Sequence, residues 1–261
     1  MTTPLQAAIL PPGAGWSWIA QGIRLFRRQP MAMLFWSIAT SFFINIGALI
    51  PVLGQTALVL LTPLLTFLTL CACRNLDEGV RMMPGMWLHP LRTPGVTGAL
   101  LKLGLAYLGC SFLAALAAVL PFLSSMLDVL DTAGQPDYTA LAQAMQGPLT
   151  VFGLFYVLLS ALFWHTPALV GWHALPLRRA LFYSMVACWR NKYPIVVYVA
   201  TWAAVFFGLR GLLDGLAGAG MSTALLAWLS LPLDIVVTAL LYCSFYPIYT
   251  TIFRASQAAS T

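Results

Sequence analysis

Asp234, in the run SLPLDIVV, is the sharpest candidate for chemistry in this chain. An ionisable group inside an apolar span marks an ion or proton pathway by default, because taking a charge out of water is costly. Where its helix begins decides between two readings. A span that starts at Ala224 sets Asp234 about ten residues deep, about 15 Å at 1.5 Å per residue. There it suits a proton or cation site, with Arg210 or Lys102 as partner. A crossing that starts at Pro232 sets it in the first turn, where a carboxylate meets the positive end of the helix. Residues 232–253 are still long enough to cross, so the second reading is favoured.

His165 lies in FWHTPALVGWH, eight residues before His173, with Pro167 between them. That spacing allows a shared helix face, but one pair lacks the ligand count of a stable metal site. Satisfied histidines at a membrane boundary are the favoured reading. Five cysteines (71, 73, 110, 188 and 243) are an odd number, each in or beside an apolar segment. They read as small packing residues rather than a disulfide framework or metal site. Asn45 is placed to hydrogen-bond across helices. No phosphate-binding lysine loop, HExxH or GxSxG occurs. The sequence therefore predicts no catalytic residue, no metal and no cofactor.

The elements that carry these residues follow from composition. The chain of 261 residues is 61% hydrophobic and 8% charged, with a mean hydropathy of +0.87. Soluble domains are about 45–50% apolar and roughly 25% charged, so this chain cannot cover a globule with a wetted surface. Its solvent is largely lipid. A crossing needs about 20 mostly apolar residues, and six segments qualify: 31–50, 52–73, 97–122, 148–170, 194–213 and one within 224–253. Pro51 and Gly54 predict a tight turn between the first two. The expected fold is all-α, a bundle of six transmembrane helices in three hairpins with cytoplasmic interfacial amphipathic helices.

Charge sets the expected orientation. With the N-terminus inside, Arg24, Arg27, Arg28, Arg74, Arg81, Arg92, Lys102, Arg178, Arg179, Arg190, Lys192 and Arg254 fall on the cytoplasmic side. Only Arg210 falls near the outer side, and an outer loop near 124–147 holds Asp128, Asp131 and Asp137 but no Lys or Arg. This bias predicts both termini in the cytoplasm of a multi-pass bacterial inner membrane protein. Residues 1–30 form a cytoplasmic segment, 31–254 the membrane domain and 255–261 a short tail. The first 30 residues do not read as a removable leader, because the apolar run after them is of full spanning length. The net charge of +6 reflects basic residues beside spans rather than a nucleic-acid-binding module.

GWSWIAQGIRLFRRQP, residues 15–30, concentrates three arginines in five positions. Trp16, Ile19, Ala20, Ile23 and Phe26 share one helical face, and Ser17, Gln21, Arg24 and Arg28 share another. That pattern describes a helix lying in the membrane surface, with each Arg contributing about 1 kcal/mol near anionic lipid. LPLRRALFYSMVACWRNKYP, residues 175–194, repeats the scheme, and the two align on Pro30 and Pro194. Contacts with anionic head groups, or with a membrane-protein partner, are expected at Trp16, Arg24, Arg27, Arg28, Arg178, Arg179, Arg190 and Lys192.

The stretch TPALVGWHALPLRRALFYSMVACWRNKYP resembles a broad set of uncharacterised bacterial six-helix inner-membrane proteins. The similarity rests on Pro167–Val170, Ala180, Ser184, Arg190–Asn191 and Pro194, on Arg74 and Gly79 at the exit of the second span, and on SFYPIYTTIFRAS. At Trp172–His173 relatives often carry an acidic residue instead. The resemblance implies fold and location and brings no catalytic residues. The expected function is therefore non-enzymatic, that of an integral membrane protein organising or assembling membrane components. Its rival is a small-solute transporter or channel with Asp234 and Arg210 on the pathway. An intramembrane enzyme would need His165, Asp234 or the cysteines to converge.

Overall fold

The computed structural model describes residues 7–131 and 138–258. Its α-helices are α1 (Ala14–Arg28), α2 (Pro30–Leu49), α3 (Leu53–Asp77), α4 (Val96–Val119), α5 (Leu123–Asp131), α6 (Tyr138–Phe163), α7 (Thr166–His173), α8 (Leu177–Arg190), α9 (Lys192–Gly218) and α10 (Thr223–Ala258). Short 3-10 turns lie at Pro84–Met86, His89–Arg92 and Leu120–Phe122. There is no strand among the described residues. Six stretches, built on α2, α3, α4–α5, α6–α7, α9 and α10, are long and apolar enough to cross a membrane. Lipid leaves no other partner for backbone N–H and C=O groups, so apolar runs of this length close their hydrogen bonds internally as helices. Large side chains stand outward along them, Phe207 and Trp228 each 78% exposed. In water such a surface would aggregate; in acyl chains it is solvated.

The three hairpins form as expected, α2 against α3, α4 against α6 and α9 against α10. The first turns at Ile50–Val52, with Val52 at φ 61°. Gly54, the second residue of α3, sets its Cα against the Gly47 carbonyl, where a Cβ would collide. Trp36 of α2 donates its indole N–H to Thr69 Oγ1 of α3 at 2.9 Å and stacks on Trp87 with ring centroids 4.4 Å apart. Cys71, Cys73 and Cys243 are buried among these helices, the Cys73 thiol donating to the Tyr242 carbonyl at 3.6 Å.

Four expectations need correction. The stretch expected as an outer loop near 124–147 is helical in its described residues: α5 fills its first part and α6 already begins at Tyr138, so Pro148 lies within a helix rather than opening a span. Asp137 and the side chain of Asp131 lie outside the described residues. The span placed at 148–170 is broken at Trp164–His165, because the Pro167 ring would clash with the Phe163 carbonyl in an unbroken helix. No crossing begins at Pro232, since α10 runs unbroken over 36 residues through both Pro232 and Pro247. Asn45 bonds the Ser41 carbonyl of its own helix at 2.8 Å, not a neighbouring helix.

Contacts along the chain bring the ends of α1, α3, α8 and α10 together, and with them Arg28 and Arg190. Arg28 reaches the C-terminal end of α3, Leu10 reaches the cap of α8, and Ala8 donates to the Ile252 carbonyl near the end of α10. Arg210 and Asp214 pair on the other half of α9.

Candidate functional site

Helix α1 has three faces. Gly15, Trp18, Gly22 and Leu25 are buried against the bundle. At about 100° per residue, Phe26, Ile19, Ile23 and Trp16 fall on a second face, and Arg24, Ser17, Arg28 and Gln21 on a third. Trp16 is 61% exposed, so it belongs to the face turned away from the protein. Sequence reasoning found the second and third faces and missed the first. Its signal was Gly15 and Gly22, seven residues apart, with Trp18 on the same face between them. A Cβ on Gly15 would stand 2.5 Å from the Pro194 carbonyl oxygen, and one on Gly22 would stand 2.8 Å from the Ser244 Cα. Glycine lets the α1 backbone touch α9 and α10 directly, and Trp18, fully buried, donates to Thr251 Oγ1 at 2.7 Å.

The echo in α8 is real, but its register differs from the proline alignment. Pro30 is the first residue of α2, whereas Pro194 is the third of α9. Both positions lie in a first turn, where a missing N–H costs little. Aligned on their caps, Gln29 and Asn191, the helices match on the side that faces the bundle. Trp18, Gly22 and Leu25 correspond to Ala180, Ser184 and Ala187, all buried, and Arg28 corresponds to Arg190.

The caps also perform the same bonding. The Asn191 amide donates to the Ala8 carbonyl at 2.8 Å while its oxygen accepts the Leu10 N–H at 3.0 Å. The Gln29 amide donates to the Val80 carbonyl at 2.7 Å while its oxygen accepts the Met82 N–H at 2.9 Å. Each carboxamide thus clamps residues n and n+2 of an extended segment distant in sequence. Neither clamp was anticipated, because nothing in a local pattern announces a partner 50 or more residues away.

Three guanidinium groups meet a cleft between α1, the end of α3 and α10 near Pro247. Its volume is about 490 Å³, and Gln21, Arg24, Arg27, Arg28, Asp77 and Thr250 contribute to its walls. Arg28 is held in place: it donates to the Leu76 carbonyl at 3.2 Å, the Asp77 carbonyl at 2.7 Å and the Asp77 carboxylate at 3.2 Å. Arg24 and Arg27 are exposed and form no ion pair with a described residue. On α8, Arg178, Arg179 and Arg190 are likewise exposed. Trp189 is 73% exposed, and Lys192 Nζ lies 5.1 Å from its ring centroid.

The intramembrane polar candidates do not converge. Asp234 is the twelfth residue of α10, about 16 Å from the helix start, and its side chain is exposed. Arg210 pairs with Asp214 of its own helix at 3.8 Å. His165 lines a separate cavity of about 190 Å³ with Thr66, Tyr107, Tyr156, Ser160 and Tyr249, and neither Asp234 nor any cysteine lines it. His165 is not the satisfied histidine the sequence suggested. Its Nε2 is buried with no hydrogen-bond partner among the described residues, and the ring stands edge-on to Phe253 with centroids 5.3 Å apart. His173 is satisfied, with Nε2 2.7 Å from the Tyr249 hydroxyl.

No family model matches the chain. No solved structure matches it either. A probable inner membrane protein of Burkholderia thailandensis is 32% identical over 262 residues, covering 93% of this chain and 92% of the relative. A likeness that runs almost end to end, on a chain whose six apolar stretches are long enough to cross a membrane, places the protein in the family of probable inner membrane proteins that the Burkholderia relative represents.

Proposed function

We propose that this inner membrane protein is non-enzymatic and organises or assembles membrane components through lipid and protein contacts. Its N- and C-termini face the cytoplasm, and α1 and α8 lie at the inner head groups. The observation that carries this reading is the shared three-faced construction of α1 and α8. Each presents one face to the bundle, one exposed apolar face carrying Trp16 or Trp189, and arginines between them. A helix built this way fits the boundary of protein, acyl chain and water.

Replacing Arg24, Arg27 and Arg28 together with Gln tests it. Topology reporters at both termini should show mixed orientation, and association with anionic vesicles should fall. Unchanged orientation and unchanged vesicle association would sink the reading.

A transporter or channel reading draws on the depth of Asp234 within α10. It requires Asp234→Asn to abolish proton- or cation-coupled uptake in proteoliposomes while the protein still folds. The exposed placement of Asp234, away from the cavity at His165, makes this the second choice.

A further inference from the structure

We propose that the cleft of Arg24, Arg27 and Arg28 binds a phosphate ester group, an inference that rests on the membrane-contact reading above. Two units of the fold share the cap clamp and the basic residue before it, Arg28 or Arg190. At the positions of Arg24 and Arg27 the second unit has Val186 and Trp189. Those two arginines are therefore not part of the shared scaffold. Neither α1 nor the clamp needs them to hold its place.

The cleft that receives them is chemically distinct from the rest of the basic end. Among the described residues, three guanidinium groups face it against the single carboxylate of Asp77, an excess of two positive charges. Arg28 is fixed by the last carbonyls of α3, which draws its charge to the base of the cleft. The Gln21 amide and Thr250 hydroxyl add neutral hydrogen-bonding groups to the wall. Its volume falls in the range of small-molecule pockets, roughly 300–1,000 Å³. Planar guanidinium forks match a tetrahedral phosphate through paired hydrogen bonds, which lysine cannot reproduce. The apolar face of α1, with Ile23 and Trp16, adjoins the arginine face. A phosphate carried by a lipid headgroup has its acyl chains on the correct side; a soluble phosphate ester would use the arginines alone.

The test uses the full chain in neutral detergent, with bound lipid counted by native mass spectrometry. Phosphatidylglycerol, phosphatidylcholine and inorganic phosphate are the three probes. The pair R24Q/R27Q is compared with R178Q/R179Q, which removes the same charge from the second unit. The cleft pair is expected to lose about 150-fold in phosphatidylglycerol affinity, more than tenfold for each charge-assisted hydrogen bond removed. The α8 pair should lose about threefold or less, since its charges act only through a screened field. Competition by millimolar inorganic phosphate would identify a soluble ester as the ligand, and its absence a lipid headgroup.

Equal losses in both pairs would overturn the site while leaving the membrane-contact reading standing. A wild-type protein with no preference for phosphatidylglycerol over phosphatidylcholine, and no response to phosphate, would end both. Should R24Q/R27Q fail to fold, R24K keeps the charge and removes the fork. It must still weaken binding, and full retention by R24K would overturn the proposal.

Discussion

The unit α1–Gln29–α2 and the unit α8–Asn191–α9 solve one problem in two ways. Both bring a basic helix to one end of the bundle, cap it with a carboxamide, and launch a long apolar helix from a proline in its first turn. In the first unit the bundle-facing residues are Gly15, Trp18, Gly22 and Leu25, and contact is backbone on backbone with one large indole as the wedge. In the second they are Ala180, Ser184 and Ala187, small residues whose hydroxyl does structural work. Ser184 Oγ donates to the Ala161 carbonyl at 2.9 Å and accepts the His165 N–H at 3.0 Å. These are the groups freed where Pro167 breaks the helix between α6 and α7. The first unit is held by shape; the second repairs a break.

The largest expected effect comes from violating that shape. Gly22→Leu drives a branched side chain into Ser244 and is expected to cost on the order of 3 kcal/mol. The corresponding change in the second unit, Ser184→Ala, fits sterically but orphans two buried backbone groups, at about 1–3 kcal/mol. Thermal unfolding in detergent would rank the two. An equal or reversed ranking would break the distinction between shape and repair.

The clamps differ in burial, and this gives the next contrast. Asn191 is fully buried, whereas Gln29 is half-buried. Asn191→Ala leaves the Ala8 carbonyl and Leu10 N–H without their partner and is expected to cost about 2 kcal/mol. Gln29→Ala should cost about 1 kcal/mol or less, because water can take over its bonds. Limited proteolysis supplies an independent readout. Cleavage near residues 8–10 should quicken in Asn191→Ala and stay unchanged in Gln29→Ala.

Six spans could be read from the sequence because lipid allows little choice: an apolar run near 20 residues must be a helix. The proline positions were less legible, since the same residue type does opposite things. Pro30 and Pro194 sit in first turns, Pro167 starts a short helix after a break, and Pro148, Pro232 and Pro247 sit inside helices. Which outcome occurs depends on whether neighbours can satisfy the freed carbonyl, as Ser184 does for Ala161. That neighbour is set by tertiary packing. The arginines of the cleft were visible as a cluster, and what separated Arg24 and Arg27 from Arg28 was the register between the units. Register is fixed by the clamps, which act through backbone distant in sequence, so aligning on the prolines misplaced it by two residues.

The smallest expected effect concerns Cys188, aligned with Phe26 of the first unit. Phe26 is half-buried, while Cys188 is buried beside Ala187 on the bundle-facing side of α8. Burial pushes its thiol up from the ordinary 9.0 to about 12. The thiolate is the nucleophile, so a variant retaining Cys188 as its only cysteine should react slowly with maleimide at pH 8 until the protein unfolds. The stability effect has a definite sign. The neutral thiol is the form the fold prefers, so its contribution is complete below pH 9 and is lost as pH rises toward 12. Placing a cysteine at Phe26 instead gives a half-exposed thiol at the matching position. It should label faster than Cys188 in the folded protein, and equal rates would mean that α8 is no more tightly seated on the bundle than the outer flank of α1.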